Sequence, residues 1–287
     1  MRADGAMVAH SAGSRGATGS SPVQSIDSVE YLKKTYIHLK QTKETMGRLI
    51  IYATDIHGET EIFEKMLDKA IRKKAVGVVI GGDLNSHMTM FAVNSIEIQR
   101  AFFEHFLIPL LEKFRKKSGI PVFIMMGNDD HSMNMDLLEK AEKDGTINVM
   151  HNKVCEFGRT KIVGYTNINP SDWLIFPIND WVKEENKIKK DLEKLTANLD
   201  SNFILATHAP PINTDLDVHY MGINVGSEAI RNIIEDKQPY LTLHGHIHES
   251  PMMTGAIVDK IGKSVCVNPG NARIVAIDLD KKEVVKI

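Results

Sequence analysis

Cysteine is scarce in this chain, since only two, Cys155 and Cys266, occur among its 287 residues. They form no C-x-x-C pair, so the sequence favours neither a disulfide framework nor a zinc ribbon. Unpaired cysteines are typical of a reducing compartment, and we expect the protein to be cytoplasmic. Long apolar runs are lacking too, because no stretch approaches the roughly 20 residues that a membrane-spanning helix needs. We therefore expect no association with a membrane.

The chain also lacks an excess of charge of one sign. It has 35 Lys and Arg against 37 Asp and Glu, which gives a formal net charge of -2. A protein that holds long nucleic acid neutralises many phosphates, so this balance argues against a nucleic-acid partner. The two basic runs, Arg72–Lys74 and Arg115–Lys117, fall near predicted helix ends, where cations complement the helix dipole.

Three regions differ in their sequence pattern. Residues 1–24 are rich in Gly, Ser and Ala and predict a disordered tail. Residues 25–46 predict a helix, because apolar side chains recur there at helical spacing on one stripe. Residues 47–287 alternate short apolar strands with helices, which predicts one α/β domain.

Within this domain the pattern predicts a β-α-β-α-β beginning and a strand-rich end. One long helix is predicted over Val93–Lys117, and a charged helix over Asn179–Leu199. Two sheets packed face to face, with helices outside, would bury the apolar faces of all these elements. In such architectures ligands bind at the carboxyl ends of strands.

Polar clusters follow three of the early strands. Asp55 and His57 come directly after the first strand, and because they are two residues apart on an extended segment they point to the same side. Asp83 follows Gly81-Gly82 after the second strand, where its two carboxylate oxygens suit it to bridge two cations. Asn128 follows the third strand and offers a neutral amide oxygen. Each of these patterns alone is more typical of a turn or a helix cap than of a metal site.

Histidines follow two of the later strands. A lone histidine such as His208 is more often structural than metal-binding, whereas the pair His246 and His248 after Gly245 is a stronger metal signal. Taken together, the seven side chains of the five clusters provide nitrogen and oxygen donors and no sulfur. Such a set suits Mn, Fe, Zn or Co.

These clusters resemble the motifs of the calcineurin-like metallophosphoesterases in order and context. The resemblance covers about Arg48 to Ile287, and residues 243–251 with 267–270 look most like the prokaryotic branch related to cyclic-nucleotide phosphodiesterases. It implies a four-layer α/β/β/α sandwich of two mixed β-sheets flanked by helices, with two divalent metal ions. The motifs that carry it are Asp55-x-His57, Gly82-Asp83, Gly127-Asn128, His208 and Gly245-His246-x-His248.

The resemblance also implies a role for each ligand. One ion would be held by Asp55, His57, Asp83 and His248. The other would be held by Asp83, Asn128, His208 and His246, so that Asp83 bridges the two.

The same resemblance places Asp83 and Asn128 in catalysis, and Asn128 and His208 against the substrate. Many family members have a histidine directly after this asparagine, and it is thought to protonate the leaving group. Here that position is Asp129, and His131 follows two residues later. The general acid therefore stays open between Asp129 and His131.

The implied activity is metal-dependent hydrolysis of a small phosphodiester or phosphomonoester, a cyclic nucleotide among the candidates. A hydroxide held between the two metals, manganese being one choice, would attack phosphorus. One alternative is a nuclease, which would need a basic groove or an added DNA-binding domain. Another is a metal-binding scaffold without turnover. Trp173, Phe176 and Trp181 are candidates for a pocket lining or for packing, and a contact between copies in a homo-oligomer stays open as well.

Overall fold

The computed structural model describes residues 48–86, 92–170 and 180–285. The chain divides into two units, Met1–Met46 and Gly47–Ile287, and every described residue belongs to the second. The predicted tail at 1–24, the predicted helix at 25–46, Trp173 and Phe176 lie outside the described residues. In the part of the chain that is described, no helix is long and apolar enough to cross a membrane.

The strands are short, and the central ones, such as those formed by Leu49–Ala53, Gly77–Ile80 and Val122–Ile124, are apolar, as buried strands of a parallel sheet should be. In chain order they are β1 (Leu49–Ala53), β2 (Gly77–Ile80), β3 (Val122–Ile124), β4 (Asn148–Val149), β5 (Lys153–Phe157), β6 (Thr160–Tyr165), β7 (Phe203–Thr207), β8 (Leu241–Leu243), β9 (Val258–Ile261), β10 (Ser264–Val267), β11 (Val275–Asp278) and β12 (Glu283–Val285).

These strands form two mixed sheets of six strands each. The first has the order β12-β11-β1-β2-β3-β4, and the second has the order β5-β6-β7-β8-β10-β9. The strands β1 to β4 run parallel, as do β6, β7, β8 and β10. The antiparallel pairs are β1 with β11, β11 with β12, β5 with β6 and β9 with β10. Parallel neighbours end at the same edge of a sheet, so the loops after β1, β2 and β3 meet, as do those after β7 and β8.

The α-helices flank the sheets. They are α1 (Thr60–Arg72), α2 (Ser95–Phe102), α3 (Ile108–Ser118), α4 (Met135–Lys143), α5 (Glu185–Thr196), α6 (Glu228–Lys237) and α7 (Ser250–Thr254). Three apolar cores separate the resulting layers. One lies between the first sheet and helices α1 to α4, one lies between the two sheets, and one lies between the second sheet and helices α5 and α6. This arrangement confirms the four-layer α/β/β/α sandwich.

Two predicted helices differ in detail. The long helix predicted over Val93–Lys117 is interrupted by a wide helical turn at Phe103–Leu107. Pro109 lies in the first turn of α3, and its ring would clash with the carbonyl four residues earlier, so the chain widens there instead of continuing as a regular α-helix. The charged helix predicted over Asn179–Leu199 is shorter, at Glu185–Thr196, because Val182 pairs with Ile168 in a β-bridge.

Candidate metal centre

The loops after β1 and β2 are joined by backbone hydrogen bonds. The Asp55 N–H donates to the Gly82 carbonyl at 3.0 Å, and the His57 N–H donates to the Asp83 carbonyl at 2.9 Å. Across the gap between the sheets, the His246 N–H donates to the Asp55 carboxylate, 3.0 Å from Oδ1. Two sheets are therefore locked together at the strand ends that carry the predicted ligands.

Four of the predicted ligands have a left-handed backbone. The φ angles are +51° at Asp55, +49° at His57, +49° at Asp83 and +63° at His246. Such angles are uncommon for residues other than glycine and are found preferentially at functional sites. The surrounding hydrogen bonds hold these four residues in a conformation that aims their side chains into one space.

The motif glycines leave room for that convergence. A Cβ atom on Gly127 would lie 2.2 Å from Asp83 Oδ1, and one on Gly245 would lie 2.5 Å from Asp55 Oδ2. One on Gly82 would lie 2.6 Å from His208 Nδ1. Side chains at these positions would displace the carboxylates and the imidazole, so glycine is required by close approach.

A buried group of two carboxylates and one imidazole forms where the sheets meet. Asp55, Asp83 and His208 each offer one ligand atom, and these atoms lie within 4.8 Å of one another. His208 Nε2 lies 3.4 Å from Asp83 Oδ1 and 3.0 Å from Asn128 Oδ1. Its Nδ1 lies 2.9 Å from the Gly81 carbonyl oxygen, and because a carbonyl only accepts, Nδ1 carries a proton and Nε2 is the atom directed at the site.

A second group shares Asp83 with the first. His57, Asp83 and Asp129 offer ligand atoms within 4.8 Å of one another. The His57 ring lies 5.7 Å from the His248 ring, and the His208 ring lies 5.4 Å from the His246 ring, centroid to centroid. The two histidine pairs are those that the predicted ligand sets assign to the same ion. Sharing of Asp83 by two adjacent groups is the arrangement expected of a binuclear centre.

The titration of these side chains reflects buried negative charge. Burial alone would lower the pKa of His208, but the charges of Asp83 and Asp55 and the hydrogen bonds to Asp83 and Gly81 raise it to about 10. Burial and the charge of Asp83 raise the pKa of Asp55. Burial, with the charge of His208, lowers the pKa of His246 to about 3. The buried carboxylates thus favour the positively charged form of His208. The lowered pKa of His246 favours its neutral form, in which a histidine binds a metal ion.

This chemistry fits divalent metal ions. Buried carboxylates are stable only when they are paired with a cation or coordinate a metal. Asp55, Asp83 and Asp129 are buried together, and histidines lie beside them. Carboxylate, imidazole and amide donors in one water-poor cluster suit Mn, Fe, Zn or Co. The assignment of the seven ligands to two ions stays a prediction. The first group joins Asp55 to His208, which the prediction gives to different ions, and the second includes Asp129, which is not a predicted ligand.

The two candidate acids lie in different places. Asp129 is buried, and its Oδ2 lies 3.7 Å from His57 Nδ1 while its Oδ1 accepts a hydrogen bond from Asn128 Nδ2 at 2.8 Å. The ring of His131 instead lies 2.8 Å from Ser95 Oγ on α2. The structure therefore places Asp129 in the candidate metal centre and the ring of His131 against helix α2.

Asp130 is a structural residue that the sequence did not single out. Its buried carboxylate accepts hydrogen bonds from the backbone N–H groups of Leu84, Asn85 and Gly127, at 3.0, 3.0 and 2.9 Å. It therefore ties the loop after β2 to the loop after β3. Burial and the charge of Asp83 raise the pKa of Asp130 to about 6. A turn Asp-Asp pair gives no hint of this role, because Leu84 and Asn85 lie 46 and 45 residues away in the sequence.

Replacement of Asp130 tests this role. Asp130→Ala leaves buried N–H groups without acceptors, and we expect a loss of about 3 kcal/mol in the free energy of unfolding. Denaturant unfolding measures it. The control is Asp136→Ala, which removes a surface ion pair with Arg100 and should cost under about 1 kcal/mol. Equal losses for the two variants would contradict the structural role of Asp130.

Two buried side chains, Asn268 and Glu249, contact the loop that carries His246 and His248. The Asn268 side-chain amide donates to the Gly245 and Ile247 carbonyls at 3.3 and 3.2 Å. The buried Glu249 carboxylate lies 3.6 Å from His248 Nδ1 and 3.4 Å from His219 Nε2. Glu249 and Asn268 lie within the stretches 243–251 and 267–270 that carried the resemblance, which assigned a role to neither.

The comparisons with known proteins agree with the fold. An uncharacterized protein of Methanocaldococcus jannaschii is 39% identical over 183 residues, which are 62% of this chain and 77% of that protein. A crystal structure from Thermus thermophilus matches with a TM-score of 0.62 at 16% identity, covering 83% of this chain and 97% of that one. A further crystal structure matches with a TM-score of 0.66 at 17% identity, covering 84% and 98%. These two structures share the fold.

A family model is matched over most of the domain. It describes the calcineurin-like phosphoesterases, and it matches residues 49–250. That range begins at β1 and ends just after the His246-x-His248 pair, so it includes all seven predicted ligands. The chain belongs to the calcineurin-like phosphoesterase family.

Proposed function

We propose that the protein is a binuclear metal-dependent hydrolase of small phosphomonoesters or phosphodiesters. The observation that carries this proposal is the pair of buried ligand groups that share Asp83. A carboxylate shared by two groups would place two cations side by side, which is the arrangement that in-line displacement at phosphorus uses. Membership of the phosphoesterase family supports the same chemistry.

Two bound cations would supply Lewis-acid stabilisation of the phosphoryl oxygens and would lower the pKa of a water molecule. The protein's part is to position them. Asp83 would hold both ions. The Gly81 carbonyl fixes the His208 tautomer, so that Nε2 faces the site. The contact of 3.0 Å between Asn128 Oδ1 and His208 Nε2 holds the Asn128 amide at the edge of the same cluster.

Asp129 is the better placed of the two candidate acids. It lies beside His57 and its backbone N–H donates to Asp83 Oδ1 at 2.9 Å, whereas the ring of His131 is bonded to Ser95. Its carboxylate is also a member of the second ligand group. We propose Asp129 as the residue that contacts either an ion or the leaving group, and we propose no catalytic role for His131.

A small substrate is favoured over nucleic acid. The described loops that carry the predicted ligands, 54–59, 81–86, 125–134, 208–227 and 244–257, contain no Lys or Arg. A nuclease groove neutralises several successive phosphates with such cations. We propose manganese among the native metals, and a cytoplasmic location, which the free, buried Cys155 and Cys266 support.

A metal-reconstituted activity screen tests the proposal. The metal-free protein, reloaded with Mn, Fe, Zn or Co, is assayed against phosphomonoesters, phosphodiesters and cyclic nucleotides. We expect turnover of at least one class, dependent on the added metal. Binding of two ions without turnover of any ester would instead support the scaffold alternative, and strongly salt-dependent binding of DNA would support the nuclease.

A further inference from the structure

Exposed apolar side chains are concentrated beside the predicted metal ligand His248. Nine large hydrophobic side chains are exposed in the described part of the chain, and five of them lie in two adjoining segments. Their exposed fractions range from 43% to 79%. Clustered apolar exposure indicates a binding surface, whereas scattered exposure does not. We call this cluster the apolar rim; it consists of Tyr220, Met221, Ile223, Met252 and Met253.

The two segments of the apolar rim are joined to each other by hydrogen bonds. The Val218 N–H donates to Ser250 Oγ at 3.0 Å, and Ser250 Oγ donates to the Asp215 carbonyl at 2.8 Å. Thr254 Oγ1 donates to the same carbonyl at 2.9 Å. The loop that carries Tyr220 and the helix α7 that carries Met252 are therefore parts of one surface.

The loop that carries Tyr220 is a hydrogen-bonded hairpin. Val218 pairs with Asn224 in an antiparallel bridge, and the His219 N–H donates to the Ile223 carbonyl at 2.9 Å. Beneath it the buried Asp217 carboxylate accepts hydrogen bonds from Asn224 Nδ2 at 2.7 Å and from the Gly226 N–H at 2.9 Å. The buried Asp217 carboxylate thus fixes a hairpin whose tip presents apolar groups to water.

The apolar rim is continuous with the metal centre. Glu249 directly follows His248, and its carboxylate lies between the imidazoles of His248 and His219, at 3.6 and 3.4 Å. The His219 ring contacts the Tyr220 ring edge-to-face, with centroids 5.8 Å apart. The apolar rim therefore adjoins the place where the phosphoryl group of a substrate would bind.

The charges near the site agree with an uncharged occupant. The ligand-bearing loops of the described chain carry no Lys or Arg, and Glu249 and Asp217 are buried under the apolar rim. An occupant with further phosphates would find no Lys or Arg on these loops; Arg273 lies on a separate loop, whose Ala272 N–H donates to the Asp55 carbonyl at 3.1 Å. Methionine side chains adapt to apolar groups of varied shape.

From this geometry we infer that the apolar rim binds the alcohol portion of the substrate, and that the substrate is a phosphoester of an uncharged apolar alcohol. This inference rests on the proposed function. It assigns Tyr220 and Met221 to specificity, since they would contact the leaving group and not the reacting phosphorus.

Binding of phosphonates of increasing chain length tests the inference without turnover. Methyl-, butyl- and hexylphosphonate are titrated into the manganese-loaded protein by calorimetry. Each buried methylene contributes up to about 0.8 kcal/mol, so the Kd should tighten at least about tenfold from methyl to hexyl. In the double variant Tyr220→Ser, Met221→Ser this gain should shrink to about threefold or less. The control is Val76→Ser. Val76 is an exposed apolar residue just before β2, at the ends of the strands opposite the site, so this variant should keep the full gain in affinity with chain length.

Phenyl, p-ethylphenyl and p-butylphenyl phosphate extend the test to catalysis, because their leaving groups have similar acidity and differ in apolar size. We expect kcat/KM to rise with size in the wild type and to be flat in the double variant. A Kd that is equal for all phosphonates, or no phosphonate binding at all, overturns the inference. So does a dimer in sedimentation that the double variant dissociates, since a second copy would then occupy the apolar rim. Absence of turnover with chain-length-dependent binding would refute the proposed hydrolase and leave the subsite standing.

Discussion

Asp83→Asn should reduce kcat/KM for any phosphoester substrate by at least about 10³-fold, equivalent to roughly 4 kcal/mol of transition-state stabilisation. Asp83 is the residue common to both ligand groups. Its amide replacement preserves shape and still accepts a hydrogen bond from the Asp129 N–H, now 2.9 Å from Oδ1. It removes the negative charge that would lie between two cations, so both ions should be lost or weakly bound.

Metal content separates this explanation from misfolding. Elemental analysis of the reconstituted wild type should give two ions per chain, and Asp83→Asn should give one or none. Asp236→Asn, a change to an exposed helical carboxylate, serves as the matched control and should retain both ions and full activity. An Asp83→Asn protein that keeps two ions and wild-type turnover would remove the basis of the binuclear proposal.

The fold could be predicted from the sequence because the strands and helices of each layer have a local pattern of apolar and polar residues. Apolar runs such as Leu49–Ala53 and Phe203–Thr207 are followed at once by polar residues, and parallel strands collect those residues at one edge. The fold class and the family, both predicted from this pattern and from the motifs, are confirmed by the two six-stranded sheets and by the family match. The interruption of the helix before Pro109 could also have been predicted, because a proline disrupts the helical turn that precedes it.

The site is harder to predict, because its geometry depends on contacts between distant segments. Nothing local to Asp130 indicates that it would accept hydrogen bonds from residues 84 and 85. The left-handed backbone of Asp55 and Asp83 is likewise imposed by neighbouring loops, since non-glycine residues avoid it on their own. The position of Asp129 next to His57 follows from the packing of loops after β1 and β3. Patterns in a sequence identify such residues as polar and close to a strand end, and tertiary packing decides their partners.

Removal of metal should lower the thermal unfolding midpoint by roughly 10–20 °C. Each ion present at about 100 times its Kd stabilises the folded state by about 2.7 kcal/mol. Two ions would give about 5 kcal/mol, and a domain of this size changes its Tm by about 2–4 °C per kcal/mol. The effect should be large because the buried Asp55 and Asp83 carboxylates lie together around a single protonated His208 once the ions are removed.

Scanning calorimetry of the chelated protein and of the protein reloaded with manganese measures this difference. In Asp83→Asn the metal-induced rise in Tm should fall to a few degrees, whatever the midpoint of its metal-free form, because the shared ligand is missing. Asp236→Asn should retain the full rise. The rise should also depend on the logarithm of free metal concentration, as linkage requires. A midpoint that manganese leaves unchanged in the wild type would mean that the cluster of Asp55, Asp83 and His208 is stable by its own hydrogen bonds and ion pairs, and that it is not a metal centre.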